Sequence, residues 1–97
     1  MAKGYWVSVY RSVSDPEKLA AYDKLAAQAV RAWGGRVLSR GGRVVAYDAG
    51  IAERVILIEF DSFDEAVAAR ESEAYQEALV ALSDVVERDF RIIEGVD

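Results

Sequence analysis

The periodicities of the chain predict an α+β domain: one four-stranded antiparallel sheet with both helical regions on a single face. Two observations lead there. Extended, β-rich patterning recurs in four places, at residues 5–13, 36–40, 54–60 and 90–96. Helical periodicity fills the gaps after the first and third of these. Ninety-seven residues make a single domain, 1–97, with one core. The order is β-α-β-β-α-β, the ferredoxin-like arrangement.

In the first strand, Tyr5, Val7, Val9 and Val13 fall on one side with Arg11. Trp6, Ser8, Tyr10 and Ser12 fall on the other, which is assigned to the open face. Ser14-Asp15-Pro16-Glu17 opens a helix with an Asp cap, Pro at the first helical position and an acid in the first turn. Leu19, Tyr22, Leu25, Ala26, Ala29, Val30 and Trp33 form its buried face, and Gly34-Gly35 ends it. Arg36 to Arg40 is the second strand, and Val44 to Tyr47 resumes extended structure before a loop at 48–53. Arg54 to Phe60, "RVILIEF", is dense in β-branched residues and is the strongest strand. Ser62 with Glu65 is a capping box, and Ser72-Glu73-Ala74-Tyr75 is a kink or fresh start in the second helical region. Phe90 to Val96 closes the sheet; Phe90-Ile92-Glu94 and Arg91-Ile93 are equally good inward sets.

Composition removes whole classes of chemistry. Cysteine and histidine are absent, which excludes disulfides, structural zinc, His-ligated haem and Ser-His or Cys-His dyads. No cofactor fingerprint is present, so none is expected, and only a carboxylate site for a hard cation remains open among metals. The net charge of −5 argues against nucleic acid. No apolar run approaches the ~20 residues that cross a bilayer, and no signal segment precedes the first strand, so a cytoplasmic protein off the membrane is expected.

Residues 34–44, "GGRVLSRGGRV", place Arg36, Arg40 and Arg43 beside four glycines. The first glycine pair follows a helix and precedes a strand, the reverse of a phosphate loop. A tight Gly41-Gly42 hairpin would set Arg40 against Arg43, inviting an anion between them. Like charges so paired are unfavourable, and a bulge or wider bend is preferred.

Helices on one face leave the other bare. Trp6, Leu38, Val55 and Leu57 there would form an apolar patch larger than a monomer tolerates, which predicts a homodimer with sheets face to face. Ser8, Tyr10, Arg40 (with or without Arg36) and Glu59 would point into the enclosed chamber. Glu59 is the candidate catalytic residue, a lone carboxylate in "VILIEF" whose alternative is an ion pair with a neighbouring arginine. Arg43 and the hydroxyl of Tyr75 complete the candidate ligand-binding set.

The segments "KGYW", "GGRVLSRGG", "ILIEFDSFDEA", "SEAYQ" and "IIEGV", in this order, resemble the domain-of-unknown-function 1330 family across nearly the whole chain. The resemblance implies a dimeric α/β barrel and no assigned activity. The wider superfamily includes cofactor-free monooxygenases, lactone isomerases, dehydratases and haem enzymes, of which the haem branch needs the missing histidine. Leu82 stands where the resemblance leads one to expect arginine.

Two functions follow. In one, the dimer binds a small organic molecule, anionic or aromatic, through Tyr10, Arg40 and Glu59, and acts as a cofactor-free oxygenase or isomerase if Glu59 moves a proton. In the other it is a non-catalytic sensing or structural dimer. Glu59 paired to Arg36 or Arg40, with no cavity above ~300 Å3, favours the second; an unpaired Glu59 on a pocket wall favours the first.

Overall fold

Each strong local signal in the chain becomes an element of the computed structural model, which describes residues 2–97. Strand β1 (Gly4–Val13) leads into helix α1 (Pro16–Ala32), then β2 (Arg36–Arg40), β3 (Val55–Phe60), α2 (Phe63–Glu71), α3 (Glu73–Leu82) and β4 (Val86–Glu94). The Asp15 carboxylate accepts from the amides of Glu17 and Lys18 at 3.0 and 3.2 Å, starting α1. Gly34 ends it at φ +74°, a left-handed value that costs glycine little, while the Gly35 amide reaches back to the Val30 carbonyl at 2.8 Å. Ser62 caps α2. Ser72 both closes α2 and caps α3, so the second helical region is two helices rather than one.

The strands are ordered β2-β3-β1-β4 with every neighbouring pair antiparallel, which is the expected ferredoxin-like topology. The molecule is a slab 37 × 33 × 17 Å. Its short dimension holds one sheet and one helical layer, since packed layers lie ~10 Å apart. The opposite sheet face is therefore bare, as the element order requires.

Which residues occupy that face is where expectation and structure part. Trp6, Ser8 and Tyr10 point toward the helices and are buried, whereas Tyr5, Val7 and Val9 lie on the open side. Both alternations of β1 are apolar enough to be inside, so hydropathy alone does not choose. Packing does: the Trp6 ring fits among Phe60, Tyr75 and Phe90, and its Nε1–H donates to the Ala66 carbonyl of α2 at 2.8 Å. On β3 the expected inward set of Ile56, Ile58 and Phe60 is buried. The register pairs Trp6 with Ile58 and Ile92, and Ser8 with Ile56 and Phe90, which selects Phe90 and Ile92 as the inward residues of β4.

No single alternation holds throughout β2. A register shift between Val37 and Ser39 leaves Arg36 opposite Glu59 and Ser39 opposite Leu57 on the open face, but turns Arg40 opposite Ile56 on the helix face. Leu38 is the bulged residue and is exposed. Residues 44–47 form no strand; β2 pairs only with β3, and residues 41–54 make a long connection. The chain after Arg40 thus bends widely and does not form a tight hairpin. Trp33 is 41% exposed instead of core, because it caps the end of α1 above the edge strand β2, where no further layer covers it.

Candidate functional site

The helix face of the sheet is not uniformly apolar. Arg88 of β4 stands opposite Tyr10 of β1 and so points beneath the helices. Its Nη1 donates to the hydroxyls of Tyr10 and Tyr22, both at 3.1 Å, and its Nη2 donates to the hydroxyl of Tyr75 at 3.3 Å. The Tyr22 and Tyr75 hydroxyls are also hydrogen-bonded to each other. The guanidinium lies 5.0–5.5 Å from the ring centroids of Phe90, Tyr22 and Tyr10, within cation–π range. Among the described residues no carboxylate pairs with it.

Burial alone would lower the pKa of Arg88, but the surrounding tyrosine oxygens outweigh it and hold the value above that of free arginine. Burial raises the phenol pKa of both Tyr10 and Tyr22, so the hydroxyls stay neutral at physiological pH. The result is a fixed positive charge in an aromatic cage. It is rich in donors, because every oxygen touching the cation is itself a hydroxyl carrying a proton.

Beside this cluster lies a cavity of about 40 Å3 between α1 and the sheet. Ala26 and Ala27 of α1 form part of its roof, and their small side chains leave the space open. Arg88 and Ser8 line it from the sheet. Arg54 and Asp23 line it too, joined by an Nη2–Oδ1 bridge of 2.8 Å. Two buried polar atoms there lack any hydrogen-bond partner, Ser8 Oγ and Arg54 Nε. Such atoms are uncommon, since burying a polar group without a partner costs free energy. Val37 and Arg40, both exposed, complete one side where the cavity meets solvent.

The expected site residues separate into two groups. Tyr10 and Tyr75 are brought together at Arg88 on the helix side, while Ser8 and, through the β2 bulge, Arg40 line the adjoining cavity. With β1 in the opposite phase, Arg40 turned by the bulge and Tyr75 on α3, none of these four points toward the open face, and the cavity is not a chamber between sheets. Glu59 and Arg36 remain on the open face. Arg36 Nε donates to Glu59 Oε1 at 2.9 Å and Nη2 to Asp61 Oδ1 at 3.0 Å, while the Tyr5 hydroxyl donates to Glu59 Oε2 at 3.2 Å. The Arg36 hydrogen bond holds the Glu59 carboxyl below the usual carboxylate range. A carboxylate so satisfied is a poor base. Arg43 is exposed in the β2–β3 connection and is absent from the cavity wall.

Arg88, Arg54 and Asp23 were not signalled by the sequence as site residues. Arg88 sits in "VERDF", whose charges resemble a loop, and only its pairing with Tyr10 turns it inward. Among the described residues no group of three or more potential metal ligands occurs.

Residues 3–96 match the family model described as "Domain of unknown function (DUF1330)". No curated protein matches the chain significantly. Among solved structures, a protein of unknown function from Rhodopseudomonas palustris is 21% identical, with 96% of this chain and 80% of that one aligned at a TM-score of 0.69. SnoaB, a cofactor-independent oxygenase from Streptomyces nogalater, is 9% identical over 100% of this chain and 96% of its own, TM-score 0.57. A dimeric ferredoxin-like protein of unknown function from Thermobifida fusca is 12% identical over 96% and 89%, TM-score 0.52. At these identities the likeness is one of fold. With the ferredoxin-like topology and a family match spanning almost every residue, the chain belongs to the DUF1330 family.

Proposed function

We propose that this protein is a homodimer that binds a small organic anion in the cavity beneath α1, where Arg88 receives the charged oxygen. The observation that carries the reading is a fixed cation facing a cavity with no carboxylate to neutralise it. An anionic oxygen would accept from Arg88 in a partly dry site, where charge-assisted hydrogen bonds are at their strongest. Homodimerisation is supported by the bare sheet face, on which Val7, Val9, Val55 and Leu57 form an apolar strip across the two central strands. The dimeric state of the Thermobifida fusca protein agrees with it.

The pairing of Glu59 with Arg36, and a cavity far below ~300 Å3, favour ligand binding without chemistry by Glu59. A second reading, a cofactor-free oxygenase or isomerase, is favoured by one feature: the fold shared with SnoaB, a cofactor-independent oxygenase, over the whole of this chain.

The test is a thermal-shift titration with acetate, pyruvate, benzoate and phenol, on the wild type and on Arg88→Gln. A ligand at a hundred times its Kd adds ~2.7 kcal/mol, which for a chain of this size is a rise of roughly 10 °C or more. The rise should vanish in Arg88→Gln. Absence of any shift in the wild type, or an equal shift in the variant, rules the site out. Oxygen uptake during the same titrations decides for the second reading.

A further inference from the structure

The cavity has further polar groups that the anion site does not use. Ser8 is 2% exposed, lines the cavity, and its hydroxyl has no partner. Tyr10, one inward position along β1 from Ser8, lies opposite Arg88 on β4, and its amide bonds the Arg54 carbonyl at 2.9 Å. Ser8 is therefore diagonal to Arg88 across one strand pair and close to Arg54 on the other side. The Arg54 guanidinium packs 5.4 Å from the Tyr10 ring centroid and that of Arg88 5.5 Å, so the two cations flank one ring.

The two arginines are chemically unequal. Arg54 is neutralised by Asp23 and keeps a buried Nε–H without a partner. Arg88 has no counter-charge. Arg88 therefore calls for a negative charge, and the Ser8 hydroxyl with Arg54 Nε calls for a neutral acceptor beside it. Size narrows the class further. A volume of about 40 Å3 corresponds to roughly three waters at ~10–15 Å3 each, or ~90 Å3 of liquid. That suits a three-carbon acid better than an aromatic ring.

Resting on the anion reading above, we infer that the ligand is a small 2-oxo or 2-hydroxy monocarboxylate, its carboxylate at Arg88 and its neighbouring carbonyl or hydroxyl oxygen at Ser8 and Arg54 Nε. A simple carboxylate of the same size leaves both donors unpaired in a buried place, where the loss is felt in full.

Calorimetric titration of the purified chain with pyruvate, L-lactate and propionate tests this. Pyruvate or lactate should bind at least ~10-fold tighter than propionate, and Ser8→Ala should reduce that ratio several-fold, the remainder resting on Arg54 Nε. Alanine fits where serine does and removes an unpaired hydroxyl, so the variant should melt no lower than the wild type. Ser8→Thr, which keeps the hydroxyl, should retain part of the preference. Equal binding of all three acids, lost in Arg88→Gln, overturns the second subsite and leaves the anion site standing, with solvent alone at Ser8. A preference undiminished in Ser8→Ala also overturns it. No binding of any acid overturns both.

Discussion

Replacing Tyr75 by Phe isolates the polar contribution of the cluster around Arg88. Tyr75 is fully buried, and its ring packs 5.0 Å from Trp6, 6.0 Å from Tyr22 and 6.4 Å from Phe90 between centroids. Phenylalanine keeps all of those contacts. What disappears is one oxygen that accepts from Arg88 Nη2 and shares a hydrogen bond with Tyr22. A neutral hydrogen bond contributes ~1 kcal/mol net and one to a charged group ~1.5–3, offset in part because the phenyl ring is cheaper to bury. The expected loss is about 2 kcal/mol, or ~8–16 °C in Tm for a domain near a hundred residues. Circular-dichroism melts at pH 7 and one fixed protein concentration measure it directly; the concentration is held because the proposed dimerisation would make Tm depend on it. The Tyr22→Phe variant extends the test. Tyr22 and Tyr75 share one bond, so the double variant should lose about 1 kcal/mol less than the two singles together. A Tyr75→Phe protein melting within ~2 °C of the wild type, or strictly additive losses, would refute the hydrogen-bonded cluster.

Two further outcomes follow from the open face. Glu59 has its pKa lowered in the folded protein, so its pairing with Arg36 adds stability above the unfolded value near 4.5 and loses it as pH falls through the depressed folded value. Glu59→Gln should therefore melt lower than the wild type at pH 7 and converge with it in acid, and parallel melting curves at both pH values would contradict the pairing. Val7 faces Leu57 on the two central strands, so Val7→Glu should convert the dimer to a monomer in light scattering while leaving the circular-dichroism spectrum intact. A wild-type monomer at micromolar concentration, or a dimer that tolerates Val7→Glu, would remove sheet-to-sheet pairing as its basis.

Local signals in this chain are strong where they depend on neighbours in sequence. Asp15-Pro16, Ser62 with Glu65, Ser72 and Gly34-Gly35 each act within a turn or two of backbone, and each begins or ends a helix where it was expected. "VILIEF" is a strand in any context with a partner, and its inward set follows from the contrast of Ile56, Ile58 and Phe60 with Glu59. β1 lacks that contrast. Valines on one side and Trp, Tyr and Ser on the other both suit a core, and a change of phase by one residue moves every side chain to the other face. The long aromatic rings went inside because three neighbouring rings and the Ala66 carbonyl were there to receive them.

By itself, then, the amino-acid order determined the element sequence, the antiparallel ferredoxin-like topology and the bare sheet face, because helix caps, glycine stops and β-branched runs act locally. Glu59 as an acid with an arginine partner was also legible, since a strand carboxylate demands one. The tertiary structure alone decided which face of β1 is inner, and with it which side of the sheet holds the cavity. It also brought Arg88, Arg54, Asp23 and the three tyrosines together from four elements and one loop end. A site of that kind is defined by strand register and by the small side chains of α1 above it, and register is a property of pairs of strands that neither carries alone.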